Sequence, residues 1–260
     1  VIPPVCLSIA GSDPSGGAGI QADLKTFHRH GVYGAAAISL LTVQNSTGTK
    51  SVEVMPPGLV GAQVRAVLDD LPVCAVKTGA LGSAGVVMAV ADGLRGRNLS
   101  LVVDTVMAAK NGLSLLGSDA TEAAKRSLYP LATLITPNLD EASVLMEREI
   151  VTISDMRDAA SRMRDRFGCE AVLVKGGHLR GNDLVDVLCD SDGVVEFVAR
   201  RIETIHTRGT GCTYSAAIAA HLANGFGLRE SVAKSHAWLQ NAIASALANG
   251  AGRGGLNHFV

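Results

Sequence analysis

Aromatic residues and net charge are both scarce in this chain. Phe, Trp and Tyr make up 3% of its 260 residues, and 23 Lys and Arg nearly balance 24 Asp and Glu. A nucleic-acid binder needs a cationic footprint for phosphates and aromatic platforms for bases, so no nucleic-acid partner is expected. Cysteine is sparse as well. Cys6, Cys74, Cys169, Cys189 and Cys212 are odd in number, scattered and never spaced C-x-x-C. That pattern predicts reduced thiols, without a disulfide framework or a zinc site. The seven histidines contain no H-x-x-x-H pair. No secretory leader is expected, and no apolar run reaches the length of a bilayer. A cytoplasmic protein with no membrane partner is therefore expected. The first residue is Val1 and not Met, so a few preceding residues are expected too.

What is present is an apolar share of 47% with 18% charge, the composition of a compact globular protein. No linker, repeat or low-complexity block divides it, and a single domain over 1–260 is expected. Short apolar runs alternate with amphipathic stretches. Strands are predicted at Val5–Ala10, Ala35–Leu41, Cys74–Lys77, Leu101–Asp104, Leu134–Thr136 and Val172–Val174, with a short edge or lid strand at Ser51–Met55. Helices are predicted at Ala18–His30, Pro57–Leu71, Ala84–Leu94, Glu141–Met146, Asp155–Phe167, Cys212–Asn224 and Glu230–Asn249. Leu184–Cys189 and Val194–Val198 lie back to back about Asp192-Gly193, a hairpin signal. Strands apolar throughout, alternating with helices, imply an α/β fold with a mainly parallel sheet covered on both faces. Ligands in such folds sit at the carboxyl ends of the strands. Gly11, Gln44, Gly79, Asp104, Pro137-Asn138 and Gly176, each just past an apolar run, are thus expected to converge.

The segment Thr207-Arg208-Gly209-Thr210-Gly211-Cys212-Thr213 runs from a glycine-bracketed turn into a helix of small residues. Such a helix start presents unpaired amides and the positive end of the helix dipole to an anion. A thiol in the first turn is expected to have its pKa pulled below its free value. One short segment thus offers a phosphoryl cradle and a candidate base, although Gly-Thr-Gly also serves as a plain tight turn and a lone Cys as a small buried residue. A Walker A loop and a Rossmann G-x-G-x-x-G after the first strand are both absent. The glycine-rich run Ser15-Gly16-Gly17-Ala18-Gly19 has neither spacing.

At this point the chain resembles a known family over nearly its whole length. The opening run Ile9-Ala-Gly-Ser-Asp-Pro-Ser-Gly-Gly-Ala-Gly-Ile-Gln-Ala-Asp-Leu-Lys-Thr26 carries most of the likeness. Val43-Gln44-Asn45, Lys77-Thr78-Gly79, Asp104-Thr105-Val106-Met107, Thr136-Pro137-Asn138-Leu139-Asp140-Glu141-Ala142, Lys175-Gly176-Gly177-His178 and Gly209 to Thr213 support it. These stretches resemble the bacterial hydroxymethylpyrimidine/phosphomethylpyrimidine kinases of thiamine biosynthesis, within the ribokinase-like superfamily. The resemblance implies a three-layer α/β/α fold, a homodimer, and ATP- and Mg2+-dependent phosphorylation of a pyrimidine alcohol and then of its phosphate. It gives Cys212 the role of base, where most ribokinase-like enzymes have an aspartate. The amides of Gly209, Thr210, Gly211 and Cys212 become the anion hole. It also points to Asp104 and Glu141 as magnesium-linked carboxylates, the latter within Asn138-x-x-Glu141, and to Asn138, Lys175, Gly177 and Thr210 on the nucleotide. Asn138 and Glu141 also fit a helix cap.

For the substrate the resemblance suggests Gly11, Asp23, Gln44, Ala80 and Val106. A Gln amide offers the donor and acceptor that match a ring nitrogen beside an amino group, and Asp23 is expected to accept from the amino or hydroxymethyl group. Four positions depart from the family's usual residues: Ala80 for Met, Leu113 for a polar residue, and His206 and Arg208 for Asn and His. Arg208 reads either as a surface residue or as a fork of donors for a phosphate. The rival readings are pyridoxal kinase activity, a non-catalytic nucleotide or pyrimidine sensor, and a thiol hydrolase, the last with no assigned histidine partner.

Overall fold

The computed structural model describes residues 2–107, 117–177, 179 and 181–260. Leu113 and His178 lie outside the described residues. The strands are β1 (Val5–Ser12), β2 (Tyr33–Asn45), β3 (Gly48–Val54), β4 (Val73–Thr78), β5 (Ser100–Val103), β6 (Leu134–Ile135), β7 (Val172–Val174), β8 (Asp183–Asp190) and β9 (Gly193–Arg200). They form one nine-stranded sheet in the order β3-β2-β1-β4-β5-β6-β7-β8-β9. The block from β2 to β7 is parallel, β3 is antiparallel to β2 at one edge, and the β8–β9 hairpin closes the other. The hairpin signal at Asp192-Gly193 and the parallel core thus match the sequence reading.

Helices α1 (Gly19–Arg29), α2 (Pro57–Asp70), α3 (Ala84–Leu94), α4 (Ser118–Ala123), α5 (Leu139–Met146), α6 (Ile153–Phe167), α7 (Thr210–Ala223) and α8 (Leu228–Ala244) cover both faces. The β-pleat decides which strand residue meets which layer. Leu7, Val76, Val103 and Val174 join one core with Val64, Val90 and Met163 of α2, α3 and α6. Their neighbours Cys6, Ala75, Val102 and Leu173 join the other, with Phe27, Ile218 and Leu239 of α1, α7 and α8. Adjacent apolar residues pointing to opposite faces are why these strands carry no polar alternation. No helix among the described residues is long and apolar enough to cross a membrane.

Three elements differ from expectation. β2 runs on to Asn45 instead of stopping at Leu41, and pairs with β3 as a projecting hairpin. Helix α4 has no counterpart in the sequence reading. The final helix ends at Ala244, short of Asn249, and the remaining chain folds back so that Asn257 donates its amide to Ala242.

Candidate active site

The carboxyl ends of the parallel strands open on a cavity of about 610 Å3. Cys212, Gly209, Thr210, Gly211, Gly11, Gln44, Ala80, Val106, Asn138, Lys175, Asp104 and Glu141 all line it. The expected convergence therefore holds for Gly11, Gln44, Gly79, Asp104 and Asn138. Pro137, Gly176 and Gly177 are not on the wall. Gly176 instead donates its amide to Asp186 Oδ1 at 2.8 Å, and the Gly177 carbonyl accepts from Arg201 at 2.8 Å.

α7 starts at the floor of this cavity without a side-chain cap. Gly209 precedes it at φ 78°, where a Cβ would stand 2.0 Å from the Gly17 carbonyl oxygen, so only glycine fits. The Gly211 and Cys212 amides donate to no group among the described residues, as the first turn of a helix leaves them. A Cβ on Gly211 would lie 3.3 Å from Lys175 Nζ and 3.7 Å from Asp104 Oδ2. The absent side chain leaves the amides, an ammonium and a carboxylate bordering one space.

Asp104, past β5, accepts from Lys175 Nζ at 2.9 Å and Thr136 Oγ1 at 3.3 Å. Burial opposes its ionisation, but Lys175 and Lys77 outweigh that and hold the carboxyl below its usual range. Its Oδ2 is buried with no partner among the described residues. Glu141 makes a capping box with Asn138: its carboxylate accepts from the Asn138 amide at 2.9 Å and from Thr105 Oγ1 at 2.8 Å. Burial pushes Glu141 up to about 7 against the pull of Lys175, with Asp104 adding repulsion.

Two expectations about charge are corrected. Asp23 is not on the cavity wall. It is fully buried, with Lys77 Nζ at 2.9 and 3.0 Å from its two oxygens and Ser8 Oγ donating at 2.6 Å. No substrate contact fits that position. The Cys212 thiol is raised, not lowered: burial disfavours the thiolate, Lys77 opposes this, and Asp104 and Asp23 reinforce it. The charges of Lys77 and Lys175 and a Gly19 N–H aimed at the sulfur favour ionisation.

Lys77 and Asp13 escaped sequence reasoning. Lys77 lines the cavity floor yet is wholly buried. Burial works against its charge, but Asp23 outweighs it, and the ammonium is held above its ordinary value. The signal was a lone lysine ending an apolar strand, which demands a buried counterion. Asp13 accepts from Ser15, Gly17 and Ala18 amides at 3.0, 3.0 and 2.9 Å, shaping the glycine-rich loop. Arg208 is a buried member of the same cluster, at 2.5 Å from Asp13 Oδ2 and 2.6 Å from Ser15 Oγ. Its reading as a surface arginine is corrected. His206 accepts the Gly254 amide on Nδ1 at 3.0 Å.

A sequence model described as phosphomethylpyrimidine kinase matches residues 13–257. A hydroxymethylpyrimidine/phosphomethylpyrimidine kinase of Rhizobium meliloti is 49% identical over 98% of this chain and 97% of its own length. Among solved structures, a phosphomethylpyrimidine kinase from Clostridium difficile superposes with a TM-score of 0.80 at 38% identity, covering 92% of this chain and 99% of that one. The Bacillus subtilis pyridoxal kinase in its ADP complex superposes with a TM-score of 0.90 at 35% identity, covering 99% and 98%.

Proposed function

Since the chain belongs to the phosphomethylpyrimidine kinase family, we propose that it transfers phosphate from ATP to 4-amino-5-hydroxymethyl-2-methylpyrimidine and then to the resulting monophosphate, in thiamine biosynthesis. The observation that carries this reading is the pair of free amides at Gly211 and Cys212, facing the same cavity as Lys175, Asp104 and the Cys212 sulfur.

In this reading the two amides and the dipole of α7 hold the three equatorial oxygens of the moving phosphoryl group, whose charge is spread in a loose transition state. Lys175 neutralises nucleotide phosphates, and Asn138 and Thr210 border them. Mg2+ suits the donors present: the orphaned Asp104 Oδ2 and the Glu141 carboxyl are hard oxygens at the cavity wall. The metal supplies charge neutralisation on the phosphates, and its presence would favour ionised Glu141. Gln44 and the apolar wall of Ala80 and Val106 seat the pyrimidine, with Gly11 allowing close approach. Cys212 takes the hydroxyl proton once ionised. That ionisation is favoured when bound cations offset Asp104.

A homodimer in the cytoplasm is part of the same proposal, tested for assembly by sedimentation. Pyridoxal phosphorylation is the second reading, favoured by the small side chain of Ala80 on the cavity wall and by the likeness to the Bacillus pyridoxal kinase. A coupled ADP-release assay with the pyrimidine alcohol, its monophosphate and pyridoxal decides between them. The proposal expects the highest kcat/KM with the pyrimidines. Faster turnover of pyridoxal would reverse the order, and no ADP release with any of the three would leave the sensor reading.

A further inference from the structure

Among the described residues the cavity is lined by four cationic side chains, and three are already committed: Lys77 to Asp23, Lys175 to Asp104 and Arg208 to Asp13. The fourth, Arg253, is exposed and forms no ion pair with any described residue. We propose that Arg253 binds the phosphate of the monophosphate acceptor, and so serves the second phosphorylation in particular. This rests on the kinase reading given above.

Placement argues for the acceptor rather than the nucleotide. The Arg253 and Gly252 amides donate to Ser46, to its carbonyl at 2.9 Å and its hydroxyl at 3.1 Å. Ser46 is the tip of the hairpin that carries Thr42 and Gln44 into the cavity. On its other side the segment is tied to the approach to the anion loop, since Arg208 donates its amide to Gly254 at 3.3 Å. Glycine is required for this fit: a Cβ on Gly252 would stand 2.2 Å from the Ser46 carbonyl oxygen. The backbone at 253 is therefore fixed between the hairpin and the approach to the anion loop, and Arg253 borders the cavity they share. β7, which leads to Lys175, is five strand positions away from β2, about 24 Å at about 4.8 Å per step.

Charge points the same way. The alcohol brings none, whereas the monophosphate brings about two negative charges to a wall where Asp13 and Asp104 already take up the charges of Arg208 and Lys175. The charge of Arg208 is already matched by Asp13, with Ser15 on its other terminal nitrogen, so it offers no surplus positive charge. A guanidinium with no carboxylate partner among the described residues, able to grip two phosphate oxygens at once, supplies it.

The test compares native protein with Arg253→Gln and Arg253→Lys. The ratio of kcat/KM for the monophosphate to that for the alcohol is expected to fall about 10- to 100-fold in Arg253→Gln, the range for a lost charge-assisted hydrogen bond. Arg253→Lys should recover part of it. Titration of the monophosphate without nucleotide should show weaker binding by a similar factor, with KM for ATP moved by far less. Equal losses on both acceptors, or a raised KM for ATP alone, would assign Arg253 to the nucleotide or to holding its segment against the β2–β3 hairpin, and overturn the inference. If native protein turns over the alcohol but a normal ratio persists in Arg253→Gln, the inference fails and the kinase reading stands. No turnover of either acceptor by native protein would remove both.

Discussion

Burial keeps the Cys212 thiol protonated, Lys77 works against it, and Asp104 and Asp23 support burial. The thiolate that would accept a proton is scarce in the ligand-free protein in that balance, and it is needed only where the nucleophile arrives with a proton. The alcohol does; the phosphate monoester is already an anion. Cys212→Ala is accordingly expected to slow the first phosphorylation by about 100- to 10,000-fold, the span of general-base effects, and the second by less than about 10-fold. Single-turnover rates on each acceptor check this, and equal losses would remove the base role. The same balance makes Lys77 and Asp23 a mutual necessity. Lys77→Met strands a carboxylate with no exposure at all and is expected to cost about 3–5 kcal/mol in denaturant unfolding. Lys77→Met with Asp23→Leu should regain much of that stability but not the activity. A double variant no more stable than the single would show that the pair is not coupled. The pairing was not legible in the sequence. Asp23 on α1 and Lys77 on β4 are 54 positions apart, and only the crossing of helix over strand brings them together.

At the scale of elements, the start of α7 stood out in the sequence because glycine brackets Thr210 ahead of a small-residue helix, although the same residues read as a plain tight turn until the resemblance is added. The structure explains the demand for Gly209 in particular. Its φ of 78° and the 2.0 Å distance at which any Cβ would meet the Gly17 carbonyl oxygen are independent obstacles to a side chain. Gly209→Ala should displace the amides from the phosphoryl position and lower kcat by about 100-fold or more, comparable to losing one oxyanion donor. Gly31→Ala is the control. Its φ is 71° but nothing lies within 4 Å, so a stability loss of about 1 kcal/mol with normal kcat is expected. Retained kcat in Gly209→Ala would mean that the cradle is elsewhere. The β2–β3 hairpin was less readable for a definite reason. Leu41 and Val43 are 44% and 58% exposed, while Thr42 and Gln44 face the cavity. Alternation there has polar residues turned to the ligand and apolar ones to solvent. A reading that sends apolar residues inward ends the strand too early, at Leu41.

Across the whole molecule, the two cores follow from apolar strands and periodic helices, but the order of strands does not, since no spacing says which neighbour β4 or β7 will take. Resemblance supplied the architecture, and the structure then located charges that pattern reading leaves unpaired. Their titration gives the fold a pH dependence with two opposed parts. His30, His221 and His258 have depressed pKa values, chiefly through burial, with His30 and His258 at about 4. They fold as neutral rings, so their contribution is present above an unfolded value of about 6.5 and is lost as pH falls towards 4. Glu141 runs the other way. Raised to about 7 from an unfolded value near 4.5, it costs nothing when protonated and penalises the ligand-free fold as pH climbs through 7. Between pH 7 and 5 its relief offsets part of the histidine loss. Glu141→Gln, neutral at every pH, has no such relief. The variant should therefore lose stability more steeply than native protein over that interval, measured by denaturant unfolding without nucleotide or metal. Parallel pH profiles for the two would mean that Glu141 is already ionised without ligand, and the geometry of its burial would no longer govern its charge.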